Sequence, residues 1–376
     1  MFTSTTPTTT TSSPDSPSAA GPAASSESSG SAGHTPLLAE ESDVRADPGR
    51  YRVLTGDRPT GPLHLGHYLG TLHNRVRLQC LGVETYIVIA DYQVITDRNR
   101  PGDVAANVHE IVLDYLAAGL DPSRTTIFAH STVPALNQLL LPFLSLTSVA
   151  EMQRNPTVKE EALTAGISSV SGLLLTYPVH QAADILFCHG NLVPVGADQV
   201  PHIEQARLVA RRFNERFADG HALFAEPQGL LSPAPVLLGV DGQKMSKSRG
   251  NGITLRATED ETARLIRQAV TDSERLITYE PERRPQVANL LLIAAMCTGA
   301  TPEALAAEIA DGGAAALKHV ATDAVNEHLR PLRSRRAGLA AEPGLVQHVL
   351  RTGAERANEV ARQTLDDVQD TLGMRY

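Results

Sequence analysis

The sequence contains no tryptophan and only three cysteines, Cys80, Cys188 and Cys297. No two of them have the CxxC spacing, and an odd number cannot pair completely. This argues against a disulfide framework and a cysteine-based zinc site, and it favours a reducing, cytoplasmic environment. No apolar run approaches the roughly 20 residues that a helix needs to cross a bilayer, so we expect no membrane span.

Large apolar side chains are scarce in the first 50 residues, which are mainly Ser, Thr, Pro, Ala and Gly. Such a segment cannot bury enough surface to offset the entropy lost on ordering, so residues 1–50 are predicted to be a disordered tail. The tail lacks the basic start and apolar centre of a secretion signal, and its first arginine is Arg45, which disfavours an organelle-targeting sequence. The net charge of −9 neither indicates nor excludes a nucleic-acid partner bound through a local patch.

From residue 51 onward, strand patterns alternate with helical patterns. The strand patterns cover residues 52–56, 85–90 and 126–128, and the helical patterns cover residues 64–79 and 104–118. The run at 85–90 is almost entirely apolar, which is typical of a strand buried on both faces. The alternation predicts an α/β fold, with a Rossmann-type parallel sheet forming a catalytic domain over residues 51–235. Ligands of such sheets bind at the carboxyl ends of the strands.

Beyond residue 258 the strand patterns stop, and a helical domain is predicted over residues 258–376, after a loop region at 236–257. Thr301 followed by Pro302 is a typical helix start, and amphipathic stretches run over 314–336 and 345–372. This segment carries four arginines, for which the sequence leaves three alternatives open: binding of phosphates, a solvated helix face, or contacts with a helix C-terminus. They are Arg330, Arg333, Arg335 and Arg336.

The first chemical motif is PLHLGH at residues 62–67, directly after a strand and a glycine-rich turn. It opens a helix, whose free N–H groups and positive dipole end suit a phosphate. His64 and His67 lie one turn apart on the same face and both can donate to phosphate oxygens. Gly66 between them lets a ligand approach the backbone closely. Alone, the motif is also compatible with two capping or solvent-facing histidines.

The second motif is KMSKS at residues 244–248, flanked by Gly242 and Gly250. Two lysines among small residues, between glycines, predict a mobile loop that closes on phosphates. Phosphoryl chemistry depends mainly on positioning and on neutralising the developing charge, which Lys244 and Lys247 can supply. Together the two motifs resemble the paired signatures of class I aminoacyl-tRNA synthetases.

The resemblance narrows to tryptophanyl-tRNA synthetases, in a divergent second bacterial form. It is carried by YPVHQAADIL at 177–186, VPVGADQ at 193–199 and AVTDSE at 269–274, and it covers residues from about 51 to 373. It implies a Rossmann-type enzyme that ligates L-tryptophan to tRNA(Trp) through an adenylate, using ATP and Mg²⁺. It further implies a tRNA-binding helical domain and a homodimer.

The prediction that tryptophan is the amino acid substrate depends on Asp184. It lies in an otherwise apolar helical stretch, where a carboxylate is unfavourable unless it finds a donor, and an indole N–H is a donor only. By resemblance Asp184 accepts the indole proton, and Gln199 contacts the α-amino end of the substrate. The alternative is a core aspartate that caps a helix or meets an arginine.

By resemblance, an ATP site includes the two motifs and two further segments, with no residue assigned to a metal. Asp198 would bind the ribose, and Val236 would meet adenine through its backbone, although a Gly-x-Asp sequence also serves as a plain helix cap. The predicted ATP-binding residues are Arg58, Pro59, Thr60, Gly66, His67, Gly196, Ala197, Asp198, Val236, Lys244, Met245, Ser246, Lys247 and Ser248.

The sequence departs from the commoner bacterial pattern at Arg58, Gln93 and Gln181, where Gln, His and Met are frequent. A tyrosyl-tRNA synthetase shares the fold and both motifs. A second alternative is a small HxGH nucleotidyltransferase, but such proteins lack the lysine loop and the helical segment. A third is a regulatory paralogue, which the intact catalytic motifs argue against as the sole role. Whether the enzyme is a housekeeping or an accessory copy is left open.

Overall fold

In the computed structural model, the described residues are 35–96, 100–164, 169–196, 199–231, 236–247 and 249–376. The strands are β1 (Arg52–Asp57), β2 (Glu84–Ile89), β3 (Thr125–Ala129), β4 (Leu192–Val195) and β5 (Gln228–Leu231). The helices are α1 (Glu41–Ala46), α2 (Leu65–His67), α3 (His73–Leu81), α4 (Val104–Ala118), α5 (Pro134–Gln138), α6 (Leu140–Leu144), α7 (Val149–Arg154), α8 (Pro156–Thr164), α9 (Gly172–Leu186), α10 (Val200–Phe217), α11 (Glu259–Gln268), α12 (Pro285–Thr298), α13 (Pro302–Ile309), α14 (Gly313–Ala340) and α15 (Leu345–Thr371).

The five strands form one parallel sheet in the order β3-β2-β1-β4-β5. The chain builds outward from β1 in one direction and then crosses to β4, so the strand order reverses between β1 and β4. The apolar side chains on both faces of β2 and β3 are buried, as expected for parallel strands that are covered by helices. The predicted α/β Rossmann-type fold is confirmed, and the reversal marks the expected ligand crevice.

Residues 36–50 are folded, which corrects the predicted extent of the tail. Leu38 pairs with Gly229 beside β5, and α1 places Val44, fully buried, in a cluster with Tyr51, Val53 and Leu192. Composition gave no sign of this order, because Leu38 pairs with Gly229 and the cluster around Val44 includes Leu192, both distant in the sequence. Residues 1–34 of the predicted disordered tail lie outside the described residues.

The long C-terminal helix α15 lies directly on β3. A Cβ atom on Gly353 would fall 1.8 Å from the carbonyl oxygen of Ile127, so only glycine allows the helix backbone to approach this closely. Two side-chain bonds hold α15 in this position: Asn358 Nδ2 donates to the Thr132 carbonyl, just after β3, at 2.8 Å, and Thr364 Oγ1 donates to the Phe187 carbonyl, just after α9, at 2.6 Å.

Residues 36–376 form a single compact unit. One hydrophobic core joins Ile87 and Ile111 of the sheet half to Leu291 and Leu329 of the helical half. The predicted boundaries at 235 and 258 therefore mark a change from strands to helices and not separate compact bodies. In the described chain, the last strand ends at Leu231.

A helix that crosses a membrane must be both long and apolar. Within the described ranges, no single helix meets both requirements. One pair, Pro285–Thr298 with Pro302–Ala340, meets the criteria only when taken together, and its two parts are bent by 111°.

Candidate active site

A cleft of about 1000 Å³ opens at the carboxyl ends of β1 and β4, where the strand order reverses. Gly56 and Asp57 form its floor at the end of β1, and Gly196 lies in its wall just after β4. Gly56 has no room for a side chain, since a Cβ atom there would lie 2.1 Å from the Val88 carbonyl oxygen. The parallel sheet thus places backbone edges and polar side chains of distant segments around one ligand-sized space.

Six predicted site residues line this cleft: Arg58, Thr60, Asp184, Gly196, Gln199 and Lys247. The others are distributed around it. Pro59 is buried, and Lys244 is exposed on the lysine loop. Ala197, Asp198 and Ser248 lie outside the described residues.

Val236 does not occupy the predicted place. The described strand β5 ends at Leu231, whereas Val236 lies five positions later, outside any strand and with 64% of its surface exposed. It is not among the residues that line the cleft. The sequence placed it at a strand end because the apolar run around it is typical of a strand; the chain instead turns toward the lysine loop.

The two histidines of the first motif lie at the start of α2, where His64 is buried and His67 is partly buried, and neither lines the cleft. The His64 backbone N–H donates to His67 Nδ1 at 3.3 Å, and the ring centroids are 3.8 Å apart. Burial and the charge of Lys247 lower the pKa of His64 to about 4. Burial lowers the pKa of His67 to about 3 despite the opposing charge of Asp57. Both rings are therefore neutral at pH 7 and can donate N–H bonds without carrying charge.

The lysine loop is joined to the first motif through its backbone. Leu65 N–H donates to the Ile253 carbonyl at 2.8 Å, and Leu255 N–H donates to the Leu63 carbonyl at 3.0 Å. Buried Met245 lies against the same turn, 3.5 Å from where a Cβ of Gly66 would be. The two motifs, far apart in sequence, therefore form one structure.

Asn251 braces the lysine loop internally. Its Oδ1 accepts from the Ser246 backbone N–H at 2.8 Å, and its Nδ2 donates to Asp241 Oδ1 at 2.8 Å. Gly239 packs so closely that a Cβ there would lie 2.5 Å from Asn251. The role of Asn251, three residues after the motif, depends on the loop folding back on itself.

Lys247 reaches from the loop to the cleft. Its Nζ donates to the Arg58 carbonyl at 3.1 Å. The Arg58 guanidinium pairs with Glu161 at 2.5 Å and lies 5.7 Å from the centre of the Tyr177 ring. The loop is therefore closed against the cleft, with two cations at its rim.

A buried ion pair at the end of β1 was not predicted from the sequence. Arg75 Nη1 donates to Asp57 Oδ2 at 2.6 Å, and its Nη2 donates to the Gly56 carbonyl at 3.0 Å. The Tyr115 hydroxyl donates to the same carboxylate oxygen at 2.6 Å. Burial raises the pKa of Asp57, but the charges of Arg75 and Lys247 outweigh it and hold that pKa well below its usual range. The ion pair fixes the floor of the cleft.

Asp184 lies in α9, buried, at the wall of the cleft. Its Oδ1 is 3.0 Å from His130 Nε2 at the end of β3, without the alignment of a hydrogen bond. Burial would raise the pKa of Asp184, but His130 outweighs it, and the net shift is downward. The residue faces the ligand space and pairs with a histidine, so the alternative of an internal Asp–Arg pair is excluded.

His180 lies one turn before Asp184 in α9 and stacks on His130, with ring centroids 4.4 Å apart. Its Nε2 lies 2.8 Å from Asn137 Oδ1, and its Nδ1 lies 3.3 Å from Gln93 Nε2. The sequence showed His180 within a recognisable segment but gave no sign of His130, because β3 and α9 meet only in the folded chain.

The four arginines of the helical segment mostly brace its packing. Arg336 binds Asp114 and Glu110 of α4, Arg335 donates to the Ala117 carbonyl at 2.8 Å, and Arg333 donates to Thr262 Oγ1 at 2.8 Å. Arg330 pairs with Glu327 on the surface. Three of the four are therefore engaged inside the protein.

Comparison with known proteins gives a consistent family. The model described as tRNA synthetases class I (W and Y) matches residues 47–330. A tryptophan–tRNA ligase of Clostridium longisporum is 38% identical over 333 residues, covering 86% of this chain and 97% of that protein. One of Treponema pallidum is 40% identical over 330 residues, covering 86% and 97%.

A solved structure extends the similarity to three dimensions. Tryptophanyl-tRNA synthetase from Campylobacter jejuni, complexed with ADP and tryptophan, matches with a TM-score of 0.72 and 28% identity, covering 86% of this chain and 99% of that one. The chain belongs to the class I tRNA synthetases of the tryptophan and tyrosine group, among the tryptophan–tRNA ligases.

Proposed function

We propose that the protein uses ATP to ligate L-tryptophan to tRNA(Trp), through a tryptophanyl-adenylate, for translation. The observation that carries the proposal is Asp184, a buried carboxylate facing the cleft beside His130. An indole N–H only donates, and an ionised carboxylate only accepts. Phenylalanine would leave this buried acceptor without a partner, which is the kind of penalty that produces strong discrimination.

In the first step a carboxylate oxygen of tryptophan attacks the α-phosphorus of ATP in line. The bond from that phosphorus to the bridging oxygen of the β-phosphate breaks, and pyrophosphate leaves. Lys244 and Lys247 neutralise the charge that develops on the phosphates, and His64 and His67 donate N–H bonds to them. The closed position of Lys247, bonded to the Arg58 carbonyl, supports this role.

The ATP site is proposed along the carboxyl ends of β1 and β4. The relative crystallised with ADP supports nucleotide binding. Arg58, Pro59 and Thr60 follow β1, and Gly66 gives the nucleotide close access to the α2 backbone. Met245, Ser246 and Ser248 belong to the loop that closes over the nucleotide. Val236 does not line the cleft, and we propose that its backbone contacts adenine from outside that lining.

The remaining contacts are proposed after β4. Gly196 and Ala197 let the nucleotide approach the backbone, and Asp198 binds the ribose hydroxyls. Gln199 lines the cleft just before α10 and contacts the α-amino group of tryptophan. The short distance along the chain from the ribose contact to the amino acid contact suits a substrate pair that reacts through the α-phosphate.

In the second step the 2′-hydroxyl of the terminal adenosine of tRNA attacks the acyl carbon of the adenylate. An ester bond to the tRNA forms, and AMP leaves with the electron pair of the broken acyl–phosphate bond. We propose the helical segment at 258–376 as the tRNA-binding part. Since Arg333, Arg335 and Arg336 are engaged internally, Arg330 is the member of that cluster best placed to contact RNA.

Mg²⁺ is proposed to enter with ATP. Among the described residues, one three-residue group could hold a metal ion, His130, His180 and Asp184. Two imidazoles suit Mg²⁺ poorly, because this ion prefers oxygen ligands and commonly binds through substrate phosphates. The phosphates themselves would hold Mg²⁺, whose charge offsets theirs, and no protein residue is assigned to it.

A homodimer in the cytoplasm is proposed from two features. The segment from α6 to α8 exposes large apolar side chains, with Leu141 75% and Leu163 82% exposed. Such side chains are commonly covered in an assembly. The three cysteines have no disulfide partners in the described chain, which agrees with a reducing compartment.

ATP–pyrophosphate exchange tests the amino acid assignment. Exchange should depend on tryptophan, and tyrosine should support it at least about a hundredfold less well, as expected when a buried polar group is left unpaired. Exchange with tyrosine and none with tryptophan would instead make the protein a tyrosine enzyme. Charging of a tRNA(Trp) transcript with labelled tryptophan then tests the second step.

A further inference from the structure

The side chains around Asp184 form a buried polar cluster, whose role depends on the proposed tryptophan site. His130 is fully buried at the end of β3, and its two ring nitrogens have no hydrogen-bond partner among the described residues. Asp184 Oδ1 likewise lacks an aligned donor, although His130 Nε2 is only 3.0 Å away. Because these two polar groups are buried and close together at the cleft, the charge of each affects the protonation and orientation of the other.

The groups around His130 favour the protonated form of its ring. Its ring contacts His180 and Asp184 of α9 on one side and Tyr92, after β2, on the other, with ring centroids of Tyr92 and His130 5.6 Å apart. Asp91 accepts from the Ser131 backbone N–H at 2.9 Å and holds the chain beside the ring. His180, Asp184, Tyr92 and Asp91 are the titratable groups that act on His130 from α9 and from the residues just after β2.

These contacts shift the pKa values of His130, just after β3, and of His180 and Asp184 in α9. Burial lowers the pKa of His130, but Asp184 outweighs it and the net shift is upward. Burial and the charge of His130 lower the pKa of His180. The contacts therefore favour a proton on His130 and disfavour one on His180 and on Asp184.

We propose that His130 is a positioning residue for tryptophan selection, whose imidazolium keeps the Asp184 carboxylate ionised and oriented, with Oδ2 toward the indole N–H. Without this charge, burial would favour the protonated acid, and a carboxylic O–H presents a donor where the indole also presents a donor. His180, held by Asn137 and Gln93, fixes the ring of His130 in place by stacking. The acceptor is thus built by three side chains and not by Asp184 alone.

The test compares His130→Gln with wild type in ATP–pyrophosphate exchange from pH 6 to pH 9. Glutamine keeps a polar side chain of similar length but cannot be charged. The KM for tryptophan should rise roughly tenfold, in the range of a hydrogen bond to a charged group, while kcat and the KM for ATP change less than about twofold. In the variant the KM for tryptophan should fall as rising pH ionises the buried Asp184, whereas in wild type, where His130 already favours the ionised carboxylate, it should vary less with pH.

His189→Asn is the matched control. This histidine is also partly buried, next to Thr364 and Phe224, and asparagine accepts its positive φ of 52°. It should leave both KM values unchanged. Thermal unfolding of each variant shows whether the fold is retained.

Two outcomes separate this inference from the proposed function. If Asp184→Ala raises the KM for tryptophan and a folded His130→Gln does not, or if both enzymes share one pH profile, His130 has no positioning role. If Asp184→Ala also leaves that KM unchanged, the tryptophan site itself is wrong.

Discussion

At the scale of single residues, burial and the nearest charge set the protonation of the site. His64, which is buried, and His67, which is partly buried, are neutral at pH 7 because their rings are largely withdrawn from water near Lys247. The motif residues were predicted from the sequence because their spacing is local. His130 and Arg75 were not, since each acts on a partner that only the folded sheet brings near.

Lys247 gives a direct prediction for catalysis. Lys247→Ala removes a cation held at the cleft rim, so kcat in pyrophosphate exchange should fall about a hundredfold, as for loss of one charge-stabilising donor. Binding of tryptophan should be nearly unchanged, because its selecting group is Asp184. Lys318→Ala, in α14, bonded to the Arg267 carbonyl, is the control and should retain full activity. Equal losses in both variants would remove Lys247 from the mechanism.

The lowered pKa values of His64 and His67 also predict a pH dependence of stability. The unfolded chain takes up protons at these histidines near pH 6.5, whereas the folded chain does so only near pH 4 and pH 3. The free energy of unfolding should therefore fall as the pH drops from about 6.5 toward 4. His67→Asn should reduce this slope in thermal unfolding. An unchanged slope would mean that His67 is not buried in its neutral form.

At the scale of elements, close backbone approaches hold the catalytic segments. The lysine loop returns along the first motif through Leu65 and Leu255, and α15 rests on β3 at Gly353. Periodicity predicted β1, β2, α4 and the C-terminal helices because these patterns are contained within each element. It did not predict that α15 packs on the sheet, because a single glycine in a helix does not reveal its partner.

Gly353 therefore provides a test of packing. Gly353→Val places side-chain atoms where the Ile127 carbonyl lies, and should lower the free energy of unfolding by at least about 1–3 kcal/mol. Gly338→Ala in α14 has open space around its new methyl group and should stabilise by up to ~1 kcal/mol. Denaturant unfolding of the two variants compares them. A neutral Gly353→Val would show that α15 can move off β3.

At the scale of the whole molecule, the sheet half and the helical half share one core within residues 36–376. The sequence predicted the kinds of element in the right order, but it divided them into separate domains. It also treated residues 36–50 as tail, because the pairing of Leu38 with Gly229 and the contact of the Val44 cluster with Leu192 form only in the folded chain. Long-range packing is the information that composition and periodicity lack.

The proposed homodimer is tested at this scale. Leu141→Glu places a charge on the exposed apolar segment of α6, and should shift the protein from dimer to monomer in sedimentation velocity. Leu276→Glu changes a similarly exposed leucine outside that segment and should leave the dimer intact. Wild-type protein that sediments as a monomer would contradict the proposed assembly.

The amino acid discrimination of Asp184→Ala shows whether this carboxylate selects tryptophan. Pyrophosphate exchange should show a KM for tryptophan raised roughly tenfold or more, with rejection of phenylalanine and tyrosine weakened and the KM for ATP nearly intact. A folded variant that keeps wild-type tryptophan kinetics and the same discrimination would show that this carboxylate does not select the substrate.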